Sequence, residues 1–99
     1  MPLFDLLYNK IKSIAVGLVQ TNDNLIAMSI ATDDTERLSQ SRAYTENRAK
    51  AEADLETLGL SYEQVVPCLV VGDYDRTALN IVSMYMSTIR YKLTEETIE

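Results

Sequence analysis

Two uncharged and largely apolar runs lie in the first third of the chain, with four turn-forming residues between them. The runs are SIAVGLVQ at 13–20 and LIAMSIAT at 25–32, and the segment that separates them is TNDN. Val and Ile favour strands, and Asn and Asp tolerate turn geometry. Gly17 also disfavours a helix, because glycine is costly in a helix interior. The pattern therefore predicts a β-hairpin with strands at 13–20 and 25–32.

The alternative is one continuous helix through the same segment. Apolar residues recur at helical spacing before and inside the first run: Leu3, Leu7, Ile11, Ile14 and Leu18. Such spacing is typical of one face of a helix. We favour the hairpin for its Ile and Val content, and expect a short helix at 3–12 ahead of it.

The rest of the chain contains two longer helical patterns and one further apolar run. A helix is predicted at 34–58, because Thr32, Asp33 or Asp34 can cap its start and Gly59 can end it. Residues 65–71 are uncharged and rich in Val, which predicts a buried strand with Pro67 near its end or edge. A last helix is predicted at 75–93, capped by Asp73 or Asp75, followed by a frayed tail at 94–99.

These elements together predict a single α+β domain over residues 1–99. Their order is helix, strand, strand, helix, strand, helix. The hairpin strands are antiparallel, and the crossover through the long helix makes the third strand parallel to its neighbour. The expected architecture is thus a small three-stranded mixed sheet with three helices.

Charge and cysteine content limit the partners and the compartment. The formal net charge is -6, which disfavours nucleic-acid binding because that binding depends on Lys and Arg. No segment has the length and apolar character of a signal peptide or a membrane span. A single cysteine cannot form an internal disulfide, so we expect a cytoplasmic protein, in the host cytoplasm if the source is viral.

Few residues are suited to catalysis. The chain has no His, and the usual Ser-His and Cys-His nucleophile pairs cannot be built without one. Cys68 lies in an apolar run, where a thiol behaves as a small hydrophobe. Asp73 and Asp75 are candidates for a divalent-cation site, although helix capping is the favoured explanation of both. We expect no enzyme activity and no cofactor.

The last helix carries two apolar lines. The broader line spans roughly 80° at 100° per residue and is the expected core face. It contains Leu79, Val82, Met86, Ile89 and Leu93, with Ala78 and Tyr85 at its margin. The second line contains Ile81, Met84, Thr88 and Tyr91. Met, Tyr and Ile suit the centre of an interface, so the second line predicts a homodimer. The alternatives are that other helices of the same chain cover this line, or that its residues are simply exposed.

The predicted function is protein interaction or structural support by a homodimer, without catalysis. One alternative is a divalent-metal-dependent enzyme that uses Asp73 and Asp75. Another is an acidic inhibitor whose helix binds a basic partner protein. A compact chain without a catalytic motif also has the general character of small viral or phage accessory proteins. This comparison concerns the class of protein only, and no particular residue supports it.

Overall fold

The structure, a computed structural model, describes the backbone of residues 3–98 and the side chains of residues 5–89. It consists of helices α1 (Leu3–Ile30), α2 (Asp34–Glu56), α3 (Tyr62–Val65) and α4 (Tyr74–Ile98), with a 3-10 turn at Val66–Cys68. Residues 3–98 contain no strand. The predicted α+β fold with a three-stranded mixed sheet is therefore wrong, and the protein is helical.

The predicted hairpin at 13–20 and 25–32 is part of α1, which runs without interruption from Leu3 to Ile30. The alternative of one continuous helix was correct. Ile11 and Ile14 are fully buried and Leu18 is 2% exposed, so helical spacing places these side chains on one buried face. Burial of that face outweighs the weak preference of Ile and Val for strands.

The polar segment TNDN does not form a turn, because its side chains make hydrogen bonds within and between helices. The Thr21 hydroxyl donates to the Gly17 carbonyl at 2.6 Å. Asn24 donates from Nδ2 to Oε1 of Gln40, and its Oδ1 accepts from Nδ2 of Asn47, both at 2.9 Å. Asn24 thus joins α1 to two positions of α2.

Gly17 marks the close approach of the two long helices. A Cβ atom at Gly17 would lie 3.4 Å from the Cβ atom of Ala51, so two small residues face each other here. Asn24 meets Asn47, and Gly17 meets the later residue Ala51, so α1 and α2 run antiparallel. In the sequence Gly17 is a sign against a helix, but in the structure it allows two helices to pack closely.

The strand predicted at 65–71 is replaced by the end of α3, the 3-10 turn and a loop. Ser61 and Gln64 form a capping box at the start of α3. Pro67 lies in the first positions of the 3-10 turn, where its missing N–H costs nothing. Val65 and Cys68 point into the core, so burial of this apolar run needs no sheet.

Most predicted helix ends are confirmed. Asp33 caps α2, its Oδ1 accepting from the Glu36 backbone N–H at 2.7 Å. Gly59 has a φ of 70°, the left-handed geometry expected after a helix. Asp73 caps α4, its Oδ1 accepting from the Arg76 backbone N–H at 3.0 Å. The end predicted at residue 93 is wrong, since α4 continues through the expected frayed tail to Ile98.

The core forms where α1, the end of α2, the α3 segment and α4 meet. Its buried members are Ile11, Ile14, Ala15, Leu18, Leu55, Leu60, Val65, Cys68, Ala78 and Ile81. The molecule is elongated, with extents of 57 × 29 × 20 Å. Among the described residues, no helix combines the length and the apolar character that a membrane crossing requires.

Candidate functional site

Asp73 and Asp75, the candidate metal ligands, are both engaged at the start of α4. Asp73 caps the helix through Oδ1, and its Oδ2 lies 3.5 Å from Nε of Arg76. Asp75 Oδ1 lies 3.7 Å from Nζ of Lys12 on α1. Across the described part of the chain, no group of three or more Asp, Glu or Cys side chains is placed to hold a metal ion. The geometry here is that of a helix start joined to a neighbouring helix.

Cys68 lies in the core beside α4 and is 7% exposed. Burial raises the pKa of its thiol above the ordinary value, because a thiolate loses hydration in an apolar site. The Cys68 carbonyl accepts a hydrogen bond from Nδ2 of Asn80 at 3.1 Å, which ties the 3-10 turn to α4. The side chain has the surroundings of a packing residue.

We expect the Cys68 thiol to react much more slowly with a thiol reagent in the native chain than in the denatured chain at the same pH. Both low exposure and the raised pKa lower the accessible thiolate fraction. Absorbance of the released chromophore from an aromatic disulfide measures both rates. Equal rates would show that Cys68 is accessible in the folded protein.

Arg48 is the centre of a polar cluster that sequence reasoning missed. Its Nε donates to Oε1 of Glu52 and a terminal nitrogen donates to the Tyr44 hydroxyl, both at 2.7 Å. The guanidinium also lies 4.4 Å from the centre of the Tyr62 ring, a favourable cation–π distance. The Tyr44, Arg48, Glu52 spacing of four residues was visible in the sequence, but the contact with α3 was not.

The pKa values in this cluster follow from the same contacts. The hydrogen bond to Glu52, followed by that to Tyr44, raises the pKa of Arg48 further above its already high value. Burial is the main cause of the raised pKa of Tyr62. Both groups therefore keep their neutral-pH charge states, and the cluster fastens α3 to α2. Its hydrogen bonds and ring contact hold Tyr44, Glu52 and Tyr62 around the Arg48 guanidinium.

Two of the residues predicted to form a dimer interface, Ile81 and Met84, contact the core of the same chain. Ile81 is fully buried within the chain, so it has no surface with which to contact a second copy. Met84 and Thr88 are half-buried, and the Thr88 hydroxyl donates to the Met84 carbonyl at 3.0 Å. The side chain of Tyr91 lies outside the described residues.

Part of the line of α4 that was predicted to face the core is open to solvent. Leu79 is 58% exposed and Met86 is 44% exposed. Ile89 is half-buried, and Val82 is half-buried and packs against the core. The side chain of Leu93 lies outside the described residues. The prediction is therefore wrong for Leu79 and Met86. We call Leu79, Val82, Met86 and Ile89 the α4 face.

The buried side of α4 begins with a small residue and a polar one. Thr77 and Ala78 are both fully buried. The Thr77 hydroxyl accepts from the Val70 backbone N–H at 2.9 Å and donates to the Asp73 carbonyl at 2.7 Å. These bonds satisfy the hydroxyl, so threonine is tolerated in a fully buried position.

A second group of exposed apolar residues lies at the end of the α1–α2 hairpin. We call this group the hairpin tip. It contains Leu25 and Ile26 at 45% exposed, Ile30 at 71% and Leu38 at 54%. Four large apolar side chains within one turn region are unusual for a free surface, which makes the tip the second candidate for partner binding.

Comparison of the chain with protein-family models, curated proteins and solved structures gives no match. Function is consequently inferred from the α4 face, the hairpin tip and their surroundings.

Proposed function

We propose that this protein is a non-catalytic interaction protein that forms a homodimer through the α4 face. The observation that carries the proposal is the exposure of Leu79 and Met86 on one side of a long helix. Together with Val82 and Ile89, these residues follow the 3, 4, 3 spacing of a coiled-coil seam. A second copy of the same helix can place its own apolar residues between them.

The amount of surface that the chain exposes supports association with a partner. The chain exposes 6750 Å², whereas a compact monomer of 11.2 kDa is expected to expose about 5,700 Å². The radius of gyration of 15.8 Å likewise exceeds the roughly 13 Å expected for a compact domain of this length. The elongated chain therefore leaves more surface open to a partner than a compact monomer would.

The charge of the α4 face favours a second copy as its partner. Residues 79–90 contain one charged residue, Arg90, and no acid. Two copies of this segment can therefore meet without strong repulsion, although the whole chain carries -6. A twofold interface also uses each apolar residue twice, because both copies contribute the same surface.

Absence of catalysis and an intracellular location are part of the proposal. The chain has no His, and the polar clusters at Arg48 and Asp73 are occupied by structural contacts. The one cysteine is a buried free thiol, which suits a reducing cytoplasm.

The wild-type chain is expected to sediment as a dimer, with twice the mass of the 11.2 kDa chain. Met86→Lys and Leu79→Lys should weaken dimerisation at least about 100-fold, because each removes apolar contacts twice and places two charges in the interface. Both positions are exposed in the single chain, so the variants should stay folded. Analytical ultracentrifugation with circular dichroism measures both properties.

Ser87→Lys is the matched control for these variants. Ser87 is exposed on the same helix, next to Met86, but projects about 100° away from it. The control adds the same charge and should remain dimeric. A monomeric wild-type chain, or a Met86→Lys variant that dimerises as well as Ser87→Lys, contradicts the proposal.

A further inference from the structure

The hairpin tip is the most exposed apolar part of the α1–α2 hairpin. Ile26 and Ile30 lie one turn apart on α1, and Ile30, at 71%, is the most exposed large hydrophobic residue among those described. Leu38 lies beyond the connecting residues on α2 and is 54% exposed. The two helices thus end in a surface with apolar side chains on both sides of the turn.

A shallow depression lies beside the turn, on α2 alone. It has a volume of ≈ 390 Å³ and is lined by Asp34, Arg37, Leu38 and Ser41. The depression is open, so a residue from another molecule can enter from solvent. Asp34 at its edge has a side chain that is 99% exposed.

The charges around the hairpin tip are mainly negative. Residues 23–38 contain four acids, Asp23, Asp33, Asp34 and Glu36, and one base, Arg37. The balance of one minus four is -3, half of the net charge of the chain. Arg37 is already held by Asp34 Oδ1 at 2.8 Å and by the Ala31 carbonyl at 3.1 Å.

The helix ends at the tip add to this negative field. α1 has no basic residue in its last turn, so the partial negative charge at its C-terminus has no side chain to offset it there. The partial positive charge at the start of α2 is offset by Asp33, Asp34 and Glu36. A cation beside the tip would be stabilised by both features.

We propose that the hairpin tip binds a basic amphipathic helix of a partner protein. The apolar side of that helix packs on Ile30, Leu38 and their neighbours, and its Lys and Arg side chains face the acids around them. Helices bind in this way when apolar residues at helical spacing meet an apolar groove. A third helix laid across two antiparallel helices also completes a packed layer.

Charge identifies this partner in preference to a second copy. Two tips brought together would place the same acids opposite each other, and like charges across an interface are unfavourable. The α4 face lacks acids and has no such barrier. The inference therefore concerns a different surface and a different partner from the proposed dimer, and does not depend on it.

Binding of a defined peptide to the full chain tests the inference. The probe is a fluorescently labelled Leu/Lys peptide of roughly five helical turns, with Leu at i, i+3, i+4 and i+7. Its control is a scrambled peptide of the same composition, which has equal charge but no apolar face. We expect the amphipathic peptide to bind at least about tenfold more tightly, as measured by fluorescence anisotropy.

Variants locate the binding surface. Ile30→Gln and Leu38→Gln should each weaken binding roughly tenfold, while Leu79→Gln and Met86→Gln should leave it unchanged. Gln is a good helix former, and all four positions are exposed, so folding is retained. Asp34→Asn with Glu36→Gln should weaken binding and reduce its salt dependence. Asp54→Asn with Glu56→Gln makes the same charge change at the other end of α2 and should have little effect.

Three results would overturn the inference. Equal binding of the amphipathic and scrambled peptides would show that charge alone is recognised. A larger loss from Leu79→Gln than from Ile30→Gln would place the site on α4. Assemblies larger than a dimer that Ile30→Gln removes would assign the tip to a second copy. A monomeric wild-type chain that binds the peptide through the tip would contradict only the proposed α4 dimer.

Discussion

Ile81→Lys is expected to abolish cooperative folding. Ile81 has no exposed surface and lies in the core with Ile11, Ile14 and Leu55. A lysine there would bury an unpaired charge. Even Ile81→Ala should lower the free energy of unfolding by about 2–5 kcal/mol, a large part of the roughly 5–15 kcal/mol that stabilises a typical domain. Urea denaturation followed by circular dichroism measures the loss.

Met86→Lys on the same helix is the control for this experiment. Met86 is 44% exposed, and exposed substitutions usually change the free energy of unfolding by less than about 0.5 kcal/mol. The two variants should be compared at a protein concentration where both are monomeric, because dimerisation itself adds stability. Unfolding by Met86→Lys and tolerance of Ile81→Lys would show that α4 presents its other side to the core.

Asp23→Pro is expected to destabilise the protein by about 3 kcal/mol or more. Residue 23 lies inside α1, where proline removes a backbone hydrogen bond and its ring clashes with the carbonyl of residue 19. Asp23 is exposed, so the loss reports the backbone rather than side-chain packing. Asp23→Ala isolates this effect and should be close to neutral. Chemical denaturation gives the difference in unfolding free energy.

Asp34→Pro is the matched proline control at the real connection between α1 and α2. Residue 34 is the first residue of α2 and follows the cap Asp33, a position where proline is favoured. Asp33 has φ -133° and ψ 161°, the extended geometry that a residue before proline requires. We expect little loss of stability. A stable Asp23→Pro variant together with an unfolded Asp34→Pro variant would contradict a continuous α1 and support the β-hairpin predicted from the sequence.

Local chemistry was predictable wherever one short segment controls the outcome. The caps at Asp33 and Asp73 and the stop at Gly59 depend on residues within about one turn, and all are confirmed. The extent of α1 depended on Asn24 and Gly17, whose roles are set by residues of α2 far away in sequence. The polar segment TNDN has the same local pattern as a turn, so its distant partners on α2 could not be inferred from it.

The candidate surfaces were likewise predictable in part from local sequence and in part only from the tertiary structure. Two apolar lines on α4 were evident from spacing alone, and their separation around the helix was identified from the sequence. Only packing against α1 and the 3-10 turn decided that Ile81 is inside and Leu79 and Met86 are outside. Thr77 lies on the buried side, where Val70 and Asp73 satisfy its hydroxyl.

The sequence by itself determined where helices start, the single free thiol, the acidic charge and the presence of two apolar lines on the last helix. These properties follow from residue chemistry and from contacts within a few positions. The tertiary structure alone decided that α1 is one helix, that no sheet forms in residues 3–98, and which line of α4 is buried. The physical reason is that burial and interhelical hydrogen bonds join residues distant in sequence, and their combined free energy exceeds the local preferences of Val, Ile, Gly and Asn.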